Sequence, residues 1–361
     1  MPIYTPADLM ALDKAEKTGE EYIKALTSRY KVAQVRLTRL ITETEAKGNS
    51  TRYLKDVLAG TQQELKSLTA FGLDWAKGAI PHGFDKGARE TFEKYKEALT
   101  DVALVSSSSK VAMDLVENAA GTLTDANRFI GRRIKDEIRT TTMQSVTGTM
   151  LTGGTAVQVK KDLVAAFTRK GVVSILDKRG NPIDMESYAN MISRTTIREA
   201  TNVGTMEEVK EAGGDYVQFT THSGACPICM IYEGRVYSIS GKSEHYPKLT
   251  EVFPSGYATI HPNCGHSLTP YFPEFDKDAE ATKKNSNRPF ELTKEQKERS
   301  VAYRAEKAKE YARTKLKKEW TAAKALAPDA VPKTFSGYAA LKRAGGPKFE
   351  TLKKTIRRAG N

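Results

Sequence analysis

Cysteine is scarce in this sequence: its 361 residues hold three, alongside two tryptophans and five histidines. Three thiols cannot build a disulfide framework, and a chain this poor in them is expected to be made in a reducing compartment. Long apolar runs are missing too, and none reaches the ~18 residues that a membrane-spanning helix needs. The opening "MPIYTPADLMALDKAEK" has no basic segment followed by an apolar one, so no secretory leader is expected. There is no internal repeat. "TGGT" at 152–155 has neither a preceding strand nor a Gly-Lys-Ser/Thr ending, which excludes a phosphate loop there. What these absences leave is a soluble chain of cytosolic origin, long enough for two or three domains.

What is present is unevenly spread. From Glu291 to Asn361 there are 19 Lys/Arg against 8 Asp/Glu, a net of +11 out of +13 for the whole chain. The basic character belongs to this tail, and such a tail suits either a polyanion or a solvated lysine-rich helical face.

Hydrophobic spacing divides the chain into four parts. Residues 1–80 read as a helical hairpin. Tyr22, Leu26, Tyr30, Ala33, Leu37 and Leu40 form one stripe, and Leu54, Leu58, Leu65 and Leu68 mark the second helix. The stretch "IPHGFDKG" around His82 reads as a loop opening a helical core over 81–215. Within that core "VVSILDKRGNPIDM" predicts a short hairpin, and Asp184 is the expected cap of the helix that follows. Residues 216–275 read as a small β subdomain, too short of apolar residues for a stable core of its own. Residues 276–361 are a basic helical tail, entered through the linker-like "DKDAEATKKNSNRPF". The expected fold class is mainly α with a small zinc-stapled α+β subdomain.

All three cysteines and four of the five histidines fall between positions 222 and 266. Cys226-Pro-Ile-Cys229 is a knuckle that can aim two sulfurs at one ion, and His261-Pro-Asn-Cys264 is a second pair at ligand spacing. Together they predict a Cys3His structural zinc site, with His266 and His222 as alternate ligands or supporting donors. A redox CxxC would need a βαβ setting, and a zinc deaminase would need HxE before PCxxC; neither is present. A metal-dependent nuclease, or another enzyme acting on nucleic acid, stays open because His261, Asn263 and His266 lie close together. Against it, Cys264 intervenes and no general-base histidine pair is evident.

In order, "ISRTTIREATN", a strand, "CPICMIYEGRVYSISG", "YP" and "HPNCGHSLTPYFPEF" resemble the phage minor capsid, or head morphogenesis, proteins. The likeness is to the minor capsid protein 2 group of phages of Gram-positive bacteria, related to the Mu F-like head proteins, and covers about positions 85–275. Gly265 departs from the family, where a basic residue often follows the last cysteine. The resemblance implies a non-enzymatic virion protein made in the host cytoplasm and placed inside the head near the portal vertex. It implies several copies per virion, portal protein and major capsid protein as partners, and a part in head assembly or DNA ejection. Packaged double-stranded DNA would be met without sequence preference, through Lys342, Arg343, Lys353, Lys354, Arg357 and Arg358.

Overall fold

The computed structural model describes residues 18–44, 50–96, 103–152, 156–177, 179–327 and 329–360. The segment "TGGT" lies mostly outside these residues. The chain folds as two compact units, Met1–Thr221 with Tyr232–Pro289, and His222–Ile231 with Phe290–Asn361.

The first unit is built on helices α1 (Gly19–Glu43), α2 (Ser50–Lys96), α3 (Lys110–Thr152) and α4 (Ala156–Lys170). They are followed by the hairpin β1 (Ile175–Leu176) and β2 (Pro182–Ile183), and by helix α5 (Met185–Glu211). Thr18 starts α1 through a capping box with Glu21, whose carboxylate accepts from the Thr18 amide at 2.7 Å. The predicted stripe is buried at Leu26, Tyr30, Ala33 and Leu37 and then continues to Ile41. Arg29 joins that buried face because it reaches Glu64 of α2 at 2.6 Å, so its charge is paired rather than stranded. The hairpin forms as expected, with Ile175 opposite Ile183. Asp184 caps α5 by accepting from the Ser187 amide at 2.8 Å.

The predicted loop at "IPHGFDKG" is helix instead. Helix α2 runs unbroken for 47 residues with Pro81 inside it, so position 80 falls within an element rather than between domains. The glycines there serve close packing on α5. A Cβ on Gly87 would lie 2.0 Å from the Thr201 carbonyl oxygen, and one on Gly204 of α5 would lie 2.0 Å from that of Phe84. The two backbones meet where neither residue carries a side chain.

A three-stranded antiparallel sheet completes this unit. Strand β3 (Tyr216–Phe219) lies between β4 (Val236–Ser238) and β5 (Leu268–Pro270), with Val217 opposite both Tyr237 and Pro270. The subdomain does own a core, contrary to expectation, because aromatics supply what aliphatics do not. Phe219 stacks on Phe253 at 5.6 Å between ring centres, and Tyr232 and Tyr237 pack on the same Phe253. Phe253 ends the one-turn helix α7 (Leu249–Val252).

The linker expected after position 276 is also ordered. Helix α8 (Ala279–Asn287) ends against the fully buried Arg235, whose guanidinium donates to the carbonyls of Ser286 at 3.1 Å, Arg288 at 2.7 Å and Pro289 at 2.8 Å. Polar composition marks a linker only when nothing collects its carbonyls. Here one arginine does.

The second unit holds a one-turn helix α6 (Pro227–Met230) and helices α9 (Lys294–Leu326), α10 (Phe335–Ala344) and α11 (Gly346–Gly360). Arg299 of α9 donates to the His222 carbonyl at 3.0 Å. Helices α9, α10 and α11 close on a core of Ala323, Ala327, Val331, Tyr338 and Leu352, flanked by Trp320 and Phe349.

Candidate metal centre

Both knuckles are built by the same local device. In Cys226-Pro-Ile-Cys229 and in His261-Pro-Asn-Cys264 a proline stands second and fixes φ. The amide of the fourth residue donates to the carbonyl of the first at 3.0 Å in each. Asn263 has φ of 63°, the left-handed conformation that asparagine tolerates and a type II turn requires at that place.

Helix α5 holds the second knuckle. Thr195 Oγ1 accepts from the Asn263 amide at 3.2 Å. The buried Asn202 donates to the Tyr257 carbonyl and accepts from the Leu268 amide, both at 2.9 Å, fixing the loop at its entry and its exit. Thr195 and Asn202 both belong to "ISRTTIREATN", so that motif is the frame on which "HPNCGH" hangs. Arg198 of the same helix interacts electrostatically with Cys264.

Cys226, Cys229 and His261, and likewise Cys229, Cys264 and His266, are groups of residues that could hold a metal ion. Cys229 is common to both groups. All four primary candidates and the alternate His266 belong to one or other of these groups, while His222 is in neither. Three thiols and an imidazole are the donor chemistry of a structural zinc site, and the residues present fit one.

His266 carries a feature that spacing could not reveal. Its Nδ1 lies 3.7 Å from Cys264 Sγ and its Nε2 lies 3.4 Å from Glu233 Oε1. Cys264 is 7% exposed, His266 1% and Glu233 5%. Burial lowers the basicity of this imidazole, but the Cys264 thiol and the Glu233 carboxylate outweigh it and push the pKa up to about 9. Thiol, imidazole and carboxylate in line is also the order of a cysteine nucleophile with its base. Cys264 is buried, however, which suits ion binding better than attack on a substrate.

The proposed nucleic-acid residues scatter more widely. Lys342 pairs with Glu319, and Lys353 pairs with Glu350 at 2.6 Å. Arg343 and Lys354 are exposed, as is Lys348, which the charge count alone did not single out. Arg357 and Arg358 lie in α11, but their side chains fall outside the described residues.

Among the described residues no helix is long and apolar enough to cross a membrane. No solved structure matches the chain. A structural protein of Lactococcus phage LL-H is 27% identical over 104 residues, which cover 27% of this chain and 28% of that protein. The chain thus spans little more than a quarter of the length of that curated relative. The family model described as phage minor capsid protein 2 matches residues 44–329, which include every cysteine and histidine of the cluster, and the chain belongs to that family.

Proposed function

We propose that this chain is a non-enzymatic structural protein of a phage virion, made in the host cytoplasm and placed inside the head near the portal vertex. Membership of the minor capsid protein 2 family over residues 44–329 carries this reading. In it, several copies contact the portal protein and the major capsid protein and assist head assembly or DNA ejection. Mass spectrometry of purified virions and of DNA-emptied particles tests it. The chain is expected in intact virions at few copies per portal; its absence from them would overturn the reading.

The second element of the proposal is a structural zinc ion drawn from Cys226, Cys229, Cys264 and a histidine, His261 in the sequence-based set. Such an ion supplies cross-linking of its ligands alone. Binding worth about 10 kcal/mol would add strongly to a sheet whose strands have four residues or fewer.

The third element is sequence-independent contact of the tail with packaged DNA. Support comes from its net charge of +11 and from the exposed Arg343, Lys348 and Lys354 on helices that share a core. Truncation after Phe275 is expected to weaken DNA binding most at low salt, flattening the log–log salt slope by about 0.9 for each phosphate that the tail neutralises. Unchanged binding would remove the tail's role. DNA in the same assay is expected to stay intact with Mg²⁺, Mn²⁺ or Zn²⁺. Cleavage that disappears in His261→Ala would favour the nuclease alternative instead.

A further inference from the structure

Helix α9 is longer than its packing requires. Its first turn is fixed by the Thr293–Gln296 capping box and by Gln296, whose side-chain amide donates to the Met230 carbonyl at 2.5 Å. Its last turns enter the core of the second unit at Trp320 and Ala323. Between these ends every residue from Val301 to Lys315 is exposed except the half-buried Tyr303. A helix bare on all sides is expected to be laced with side-chain pairs or to meet a partner. Within this stretch Lys307–Glu310, at 2.6 Å, is the one ion pair among the described residues.

We infer that this bare stretch, residues 301–315, is the element of the tail that lies against double-stranded DNA, in its major groove. The inference rests on the tail–DNA reading above. It goes beyond that reading by assigning the contact to α9, whereas the residues expected from the sequence all fall on α10 and α11.

Charge selects the partner. Residues 301–315 hold Arg304, Lys307, Lys309, Arg313 and Lys315 against Glu306 and Glu310, a net of +3. At 3.6 residues per turn Arg304, Lys307, Tyr311 and Lys315 fall within about 80° of one another, while both glutamates fall on the other half of the helix. One face is therefore basic and free of carboxylates. Arg304 and Lys315 are in no ion pair among the described residues, and the exposed Lys307–Glu310 pair is screened by water and salt. Tyr311, 72% exposed, stands on the same face with its hydroxyl open to a phosphate. The face continues into a cavity of about 360 Å³ between α9 and α10, whose lining includes Lys315, Lys342 and Arg343. The acid there, Glu319, is paired with Lys342. A second copy of this face would be repelled, as would any cationic partner.

Shape agrees with charge. A helix with its side chains is about 10–12 Å across, and the major groove of B-form DNA is about 12 Å wide. A helix enters that groove only where nothing is packed along its flanks, and residues 301–315 offer about 22 Å of such helix. Helices α10 and α11 do not, because Tyr338 and Leu352 turn one face of each into the shared core. Two of their lysines, Lys342 and Lys353, are also paired, with Glu319 and Glu350.

The test uses the full chain and a fluorescent random-sequence DNA duplex, read by anisotropy across a salt series. Three variants each delete three cations: R304Q/K307Q/K315Q on the basic face of α9, K309Q/R313Q/K317Q on its other face, and R343Q/K348Q/K354Q on α10 and α11. Every one of these sites is exposed and glutamine is a good helix former, so helicity by circular dichroism is expected to match wild type. The first variant is expected to lose at least about tenfold in affinity at low salt and to flatten the log–log salt slope by about 2.7, from three phosphates at about 0.9 each. The other two are expected to stay within about threefold of wild type. Guanine N7, a major-groove atom, is expected to be protected from dimethyl sulfate by wild type and not by the first variant. Equal losses in all three variants, a loss confined to the third, or binding without N7 protection overturns this inference alone and leaves the tail–DNA reading standing. Wild-type affinity in the first variant also overturns it, and leaves the bare face to a protein partner. A full chain that does not bind the duplex overturns the tail–DNA reading and this inference with it.

Discussion

Where α2 crosses α5, glycines let two helix backbones touch; where β4 meets the end of α8, a guanidinium fills the gap and collects three carbonyls. The crossing is held by shape. Gly83 and Gly87 on one helix and Gly204 on the other leave no room for a methyl group, and buried Ala79, Phe84, Ala88, Ala200 and Val203 lie on the same two helices. The β layer is held by a few polar side chains and one aromatic cluster, because strands of three or four residues bury little apolar area. Packing spread over long helices is tolerant at most positions and intolerant where the backbones touch. A layer fastened by single side chains is sensitive at each fastening.

The largest effect is expected at the helix crossing, where it runs against helix propensity. Gly→Ala inside a helix ordinarily stabilises by about 0.5–1 kcal/mol. Gly121 of α3 has nothing within 4 Å of an added Cβ, so Gly121→Ala is expected to follow that rule. Gly87→Ala would set its methyl 2.0 Å from a backbone oxygen, and the helices must part, at a cost of about 3 kcal/mol or more. Denaturant unfolding of the two variants measures the contrast. A stabilised Gly87→Ala would mean that the helices are held by something other than close approach.

On the other side of the comparison, Arg235→Met keeps the apolar stem and deletes the donors to Ser286, Arg288 and Pro289. About 2–3 kcal/mol is expected to be lost, since the orphaned carbonyls include buried ones. Limited proteolysis localises the damage: cleavage is expected between 276 and 290 before any cut in α2 or α5. Simultaneous loss of both regions would show that the two are one cooperative unit.

Much of this architecture is legible in the sequence, and where reading fails the failures share a cause. Helices α1 and α5 and the β1–β2 hairpin follow from periodicity and turn chemistry, which are local. The two knuckles are legible as ligand-like pairs, because residue type and spacing survive in the linear sequence. The "PHGFDKG" segment misleads because its glycines answer to Ile197, Ala200 and Thr201, more than a hundred positions away. The segment over 276–290 misleads because the residue that orders it, Arg235, lies some fifty positions earlier. Glu233 was invisible as a partner of His266 for the same reason, whereas Asn202 and Thr195 sit inside a recognisable motif and lacked only a stated role. Long-range partners of polar groups are what one sequence withholds.

The smallest effect sharpens the comparison at the junction of the two styles. Glu208 lies on α5 and is fully buried, with Oε2 accepting from the Val105 amide at 2.9 Å. Burial raises its pKa above the ordinary carboxylate value, and the Val105 N–H opposes this without cancelling it. A carboxyl whose folded pKa lies above its unfolded one binds more protons when folded. Its contribution is therefore most favourable below about pH 4.5 and declines as pH rises through the folded value. Glu208→Gln keeps an acceptor for Val105 and cannot ionise, so the variant is expected within about 1 kcal/mol of wild type at neutral pH. The stability of wild type relative to the variant should fall as pH climbs from 4 upward, read from unfolding curves at matched ionic strength. A difference that grows in favour of wild type over that range would show that the ionised carboxylate is stabilised in place. The body would then hold a polar fastening of the kind found in the β layer.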